Sequence, residues 1–174
     1  MNPTSVLSDA LLASGPHPKL VQQLGLFSPL IGSWDVEVIQ YLPDGSQQGM
    51  DAEWHFGWAL EGRAVMDVWI APKRGLRNAD TEMGDYGVTI RFYDKRIDAW
   101  RSTWIGPVKN NVLPFIARKI EDAIVLEGKF EDDLSTRWIF SDITSDSFHW
   151  RALESADDWR TYTTLQEMLA RRVS

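Results

Sequence analysis

The chain contains no cysteine, so disulfides, thiolate nucleophiles and cysteine metal sites are excluded. It has no excess of positive charge either. Its 25 acidic side chains outnumber 18 basic ones, for a net charge of −7 and an isoelectric point near 4.9. A nucleic-acid binder needs a basic patch, and anionic lipid attracts basic segments. Neither nucleic acid nor membrane is therefore expected as a partner. No long apolar run occurs, and the first twenty residues, MNPTSVLSDALLASGPHPKL, lack the basic start and apolar stretch of a secretory signal. The expected compartment is the cytoplasm. Histidine is scarce: His17, His55 and His149 are scattered, with no His-x-His or His-x-x-x-His spacing, and no metal site is expected. No glycine-rich phosphate loop is present. Ser33 in Gly32-Ser33-Trp34 has no evident His or Asp partner, so nucleophilic catalysis is unsupported.

What the chain has in quantity is aromatic surface: nine Trp, seven Phe and four Tyr in 174 residues. All nine tryptophans fall in segments that read as strands. Two short helices are predicted first. One spans Ser5 to Ala13, ended by Gly15-Pro16. The other spans Pro18 to Leu24, with Pro18 at its first position and Gly25 as its C-terminal cap. From Gly32 the chain becomes apolar alternations broken by short polar turns. The runs are Gly32–Leu42, Gln47–Leu60, Arg63–Ala71, Gly84–Asp94, Ala99–Gly106, Asn111–Lys119, Ala123–Phe130, Ser135–Ile143, Ser147–Leu153 and Trp159–Leu169. Pro114 marks an edge or a bulge. The tail LARRVS reads as frayed or helical. About ten strands with a turn signal every ~8–12 residues predict an all-β sandwich or barrel. Short connections predict an antiparallel up-and-down meander, and no crossover helices are present for a parallel sheet. The expectation is one domain over 1–174, with a helical cap over 1–30 and a barrel over 31–170. The twelve-residue connection Pro72–Met83 is a candidate flap over a barrel mouth, or simply a solvated loop.

The most informative stretch is Glu53–Pro72, which reads as a hairpin turning at Glu61-Gly62. Alternation puts Trp54, Phe56, Trp58, Arg63, Val65, Asp67 and Trp69 on one face. The register pairs Leu60 with Arg63, Trp58 with Val65, Phe56 with Asp67 and Trp54 with Trp69. A one-residue slip would swap the faces, but this register pairs aromatics across the strands. Arg91, Tyr93, Trp100 and Trp104 share a face on the next hairpin. The opposite face of the fourth element, Ala64, Met66, Val68 and Ile70, is also apolar. It suits either the N-terminal helices or a homodimer.

Gly32-Ser33-Trp34, after a short helix and at the start of the first strand, resembles the Gly-x-Trp signature of lipocalins and the wider calycin superfamily. The resemblance implies a lipocalin-like or fatty-acid-binding-protein-like barrel whose Trp plugs the base. It also implies an Arg from the last strand across that Trp, here Arg171 or Arg172. His17-Pro18-Lys19-Leu20, Leu60-Glu61-Gly62-Arg63-Ala64, Tyr93-Asp94 and Trp100–Trp104 extend the likeness to a group of uncharacterised bacterial calycin-like proteins, which implies no defined activity. The expected fold is thus an all-β antiparallel calycin-like barrel of about ten strands behind one or two short N-terminal helices. A haem-binding calycin would need a lumen-facing His. His55 and His149 lie opposite the tryptophan faces of their strands, and no cofactor is expected.

Three functions fit. The first is binding of a small apolar or aromatic ligand, with or without a carboxylate, through Trp54, Phe56, Trp58, Arg63, Asp67, Trp69, Arg91, Tyr93, Trp100 and Trp104. The second is acid–base catalysis of the lyase or isomerase type on such a molecule, by Asp67 with Arg63 or Arg91 holding charge. The third is a packed barrel that acts through protein contacts.

Overall fold

The computed structural model describes residues 3–77, 84–130 and 134–173. Its elements run α1 (Pro3–Leu11), β1 (Leu12–Ala13), a 3₁₀ turn at Pro18–Leu20, α2 (Val21–Leu24) and a second 3₁₀ turn at Ser28–Leu30. Ten strands follow: β2 (Gly32–Tyr41), β3 (Gln47–Ala59), β4 (Ala64–Ala71), β5 (Asp85–Asp94), β6 (Ala99–Gly106), β7 (Asn111–Ile120), β8 (Ala123–Lys129), β9 (Ser135–Ser141), β10 (Ser147–Ser155) and β11 (Thr163–Arg172). Each of these ten pairs antiparallel with its neighbours in sequence, and β11 pairs back with β2. The result is a closed antiparallel ten-stranded barrel with no free long edge. Among the described residues, no helix is long and apolar enough to cross a membrane.

The hairpin register is the one read from the sequence: Trp54 opposite Trp69, Phe56 opposite Asp67, Trp58 opposite Val65. Glu61 (φ 57°) and Gly62 (φ 72°) are both left-handed, and Arg63 N–H donates to Leu60 O at 3.0 Å. Leu60 (φ 53°) is left-handed too, and the ladder ends at Ala59 with Ala64, so the expected two-residue turn is a four-residue connection over 60–63 and the expected Leu60–Arg63 pair does not form in the ladder. Gly62 is also required by proximity, since His17 N–H donates to its carbonyl at 2.9 Å and a side chain there would meet the Gly15 backbone.

Several boundaries differ. The first helix stops at Leu11, because β2 ends its pairing with β3 at Phe56 and leaves Trp58 and Ala59 unpaired on that side. Leu12 and Ala13 fill the gap. The second helix begins as 3₁₀, and Gly25 (φ −57°) stays right-handed and makes no left-handed cap. The described part of the tail is not helical. Leu169–Arg172 belong to β11, where Arg171 faces Asp35 and Arg172 faces Trp34. Trp159 is not in a strand: it sits in the β10–β11 connection with the Arg137 guanidinium 4.0 Å from its ring. Pro114 lies where β7 has a partner only on its β6 side, a local edge that tolerates the missing N–H. Of the Pro72–Met83 loop, residues 78–83 lie outside the described residues. Its start is tied to the outer wall by Arg74 on Glu53 and Lys73 on Asp35.

One end of the barrel, the base, is plugged. Leu24, Phe27 and Leu30 are fully buried beneath the turn-side ends of the strands. Trp34 Nε1 donates to Leu30 O at 2.8 Å. Arg172 lies 4.1 Å above the Trp34 ring, and its three nitrogens donate to the carbonyls of Ile31 (2.7 Å), Pro29 (2.9 Å) and Ser145 (2.5 Å). Of the two arginines that the Gly-x-Trp resemblance offered, Arg172 is the one across the tryptophan. On the outer wall, Ala64 and Ile70 are buried while Met66 and Val68 are half-buried; Phe92 and Ile105 extend that apolar strip into solvent.

Candidate functional site

The barrel interior divides into three layers. The base plug comes first. The middle is solid: Phe56, Val65, Phe115, Ala117, Leu126, Phe140 and Phe148 pack with almost no exposure. Trp54 is the hub. Its ring centroid is 5.0 Å from both Phe56 and Trp69, 5.5 Å from Phe140 and 6.1 Å from Trp150, each contact tilted or edge-to-face. Such pairs are worth about 0.5–1.5 kcal/mol each beyond area burial.

Into this layer is set an ion pair. Asp67 Oδ2 lies 2.5 Å from Arg91 Nη2, and both residues are 1% exposed. Asp67 Oδ1 accepts from Trp54 Nε1 at 2.6 Å. The Arg91 guanidinium stands over Phe27 at 4.9 Å and Phe56 at 5.6 Å. Its Nε and Nη1 have no hydrogen-bond partner among the described residues, and the ring faces take their place. Burial pushes the Asp67 carboxyl up, while Arg91, the Trp54 indole and the Thr89 hydroxyl pull it back down.

The third layer is hollow. At the end of the barrel opposite the plug, beside the start of β5 and the β6–β7 turn, lies a pocket of about 160 Å³. Five indoles line it, from Trp54, Trp69, Trp104, Trp138 and Trp150, with Leu113 and Met168 as apolar fill and Thr89, Asn111 and Gln166 as polar points. Gly87 makes room for one wall, since a Cβ there would fall 2.6 Å from the Trp104 ring. Trp104 Nε1 donates to Asn111 Oδ1 at 3.1 Å. Asp85 and Lys109 stand at the mouth, their charged atoms a loose 3.9 Å apart, and burial pushes the Asp85 carboxyl up. Outside the plug, at the opposite end, a wide cleft of about 1160 Å³ runs between Gly25–Pro29 and the β5–β6, β7–β8 and β9–β10 turns, with Tyr93 and Trp100 on its wall. Its lining carries the charged side chains of Asp98, Arg118, Lys119, Asp122 and Asp146.

The ten residues proposed from sequence are thus not one site. Trp54, Trp69 and Trp104 line the lumen pocket. Phe56, Asp67 and Arg91 lie in the packed layer, and Trp58 is buried near the base-side end of β3. Tyr93 and Trp100 belong to the base cleft, where Trp100 is 4.8 Å from Phe27 and the Tyr93 hydroxyl donates to Asp98. Arg63 is a correction. It follows the last ladder pair, Ala59 with Ala64, and the turn swings it outward. Its side chain is half exposed, with Nε on Glu61 at 3.3 Å and Nη2 beside His17 Nε2 at 2.9 Å. Trp138 and Trp150 were missed as pocket residues. Alternation from Phe140 and Phe148 along β9 and β10 would have placed both indoles inward. Among the described residues, no three of His, Asp and Glu are grouped to hold a metal ion.

The architecture defines a closed ten-stranded antiparallel barrel with a plugged base and an indole-lined mouth. Solved structures share that fold. Over 88% of this chain and 98% of the other, it matches the crystal structure of Rv2717c from M. tuberculosis, with a TM-score of 0.55 at 14% identity. It also matches the S-type phycobiliprotein lyase CPES from Guillardia theta, over 86% and 92% of the chains, with a TM-score of 0.55 at 10% identity. At these identities the likeness is one of fold. No family model matches the sequence, and no curated protein matches it.

Proposed function

We propose that the protein binds a small apolar or aromatic molecule of about one ring in the upper lumen. The observation that carries this reading is the set of five indoles around about 160 Å³ that no described residue fills. Interiors are close-packed, and an apolar cavity of about 150 Å³ holds a molecule of benzene's size. Indole walls present flat apolar faces at low conformational cost. That one barrel of this fold is named a phycobiliprotein lyase supports a small-molecule role, but the site must decide the chemistry. Here Asp67 does not line the pocket. It is shut in behind Trp54 and Thr89 and held by Arg91, which favours binding over acid–base catalysis.

Ligand-observed NMR with single-ring aromatics tests this. Wild-type protein is expected to bind, and Leu113→Trp, which adds an indole to the pocket, is expected to weaken binding more than tenfold while leaving the thermal melt intact. Absence of binding by wild type, or equal binding by a folded Leu113→Trp variant, would overturn the reading.

A further inference from the structure

The N-terminal arm and one side of the barrel both leave apolar surface in solvent. α1 is nine residues long, and helices shorter than about 12 residues are marginal in water unless they pack on something. Val6, Leu7 and Ala10 share one side of it, yet Val6 is 51% exposed and Leu7 is 69% exposed. The outer wall is bare as well. One cross-strand row over β4–β7 consists of Met66, Ile90, Thr103 and Pro114. The row beside it consists of Val68, Val88, Ile105 and Val112. All eight are half-buried or exposed and none is charged, in a chain 25% of whose residues are charged. Arm and wall are continuous, because Leu12, at the root of the arm, lies over Gly57, the cross-strand partner of Met66. We infer that a second copy of this chain covers the patch, in a two-fold dimer in which α1 of each copy lies on the β4–β7 wall of the other.

Charge and shape both favour a like partner. Each copy carries a net charge of −7, so two copies meet with least repulsion through a surface that carries none of it. The uncharged rows offer a basic or acidic partner no countercharge. A lipid surface is disfavoured, because residues 3–13 contain Asp9 and no Lys or Arg, whereas helices that lie on membranes are rich in basic residues. A barrel wall is convex, so two walls touch along a strip and leave a wedge on either side. A helix about 10 Å across fills such a wedge. The two-fold axis repeats every contact, so each buried side chain counts twice.

The test is sedimentation velocity on full-length wild type, on Leu7→Asp in the arm and on Ile105→Lys in the wall. Both side chains face solvent in the single chain, and the emission of the interior tryptophans checks that each variant folds. Val112→Lys, in the same row, replaces Ile105→Lys if that variant loses the native emission. Wild type is expected to sediment as a dimer, at twice 19.9 kDa. Each variant is expected to weaken dimerisation roughly a hundredfold or more, since the axis loses the buried side chain twice. Wild type that stays a monomer at about 100 µM overturns the inference. If that monomer is then captured by phosphatidylcholine vesicles, lipid and not a second copy covers the patch. A dimer that either variant leaves intact overturns it too: survival of Leu7→Asp removes the arm from the interface, and survival of the wall variant removes the wall.

Discussion

Replacing Asp67 by Ala is expected to be the most damaging single change at a charged position. The substitution removes the anion 2.5 Å from Arg91 and the acceptor of the Trp54 indole in one step. Arg91 is 1% exposed and faces Phe27 and Phe56, so the substitution leaves a buried charge among aromatic faces. Breaking one side of a buried pair costs about 3–5 kcal/mol. Against a whole-domain stability of about 5–15 kcal/mol, that is a large share. Urea unfolding followed by circular dichroism should show the midpoint falling by about 2 M, taking a slope near 2 kcal/mol/M. The double variant Asp67→Leu with Arg91→Met removes both charges at similar volume. It should recover most of the loss, because the pair's attraction roughly offsets its desolvation. A cycle over the two positions then gives a coupling of several kcal/mol. If Asp67→Ala shifts the midpoint by less than the equivalent of about 1 kcal/mol, or if the two single effects simply add, the pair is not the isolated, dry contact described above.

Two further outcomes follow from the same structure. Arg172→Ala removes three donors to backbone carbonyls and the cation over Trp34, and is expected to cost about 2–4 kcal/mol in the same unfolding assay; a cost near zero would show that the clasp is cosmetic. Glu53 gives a pH dependence. Hydrogen bonds from Arg74 chiefly hold its carboxyl at about 2, down from 4.5. A depressed folded pKa adds stability above the unfolded value, and that stability drains away as pH falls from 4.5 toward 2. Because Arg74 is largely exposed, the contribution should be only about 1–2 kcal/mol. The stability advantage of wild type over Glu53→Gln should therefore be present at neutral pH and shrink on acidification through that window. An advantage constant with pH would contradict the assignment.

The barrel was legible because alternation and turn chemistry are local properties. Gly62 at a left-handed position fixed the hairpin, the hairpin fixed which face carried Trp54 and Trp69, and short connections left only a meander. The Gly-x-Trp likeness even placed an arginine on Trp34. What alternation cannot supply is depth along the barrel axis. Residues on one face of β3, β4 and β5 were read as one wall, yet Asp67 and Arg91 sit in a filled layer, Trp69 borders the void above it, and Tyr93 belongs to the base. Arg63 shares the parity of that wall but lies past the final pair, where the turn and not the pleat aims the side chain. How much of a lumen stays empty depends on the summed volume of side chains from all ten strands. That quantity is global, and no window of sequence contains it.

The pairing of β11 with β2 has a consequence for how the molecule is made. During synthesis the strands emerge in their spatial order, so each can dock on its predecessor. Yet the ring cannot shut until the tenth strand arrives and Arg172 reaches back to the start of the first. Until then β2 waits with one side unpaired, a template for any other strand in reach. A nascent chain stalled before Thr163 would leave that side open while already holding all nine tryptophans. The clasp at Trp34 can therefore form only once the ring has closed, and it divides a shut barrel from a half-rolled sheet with an open edge.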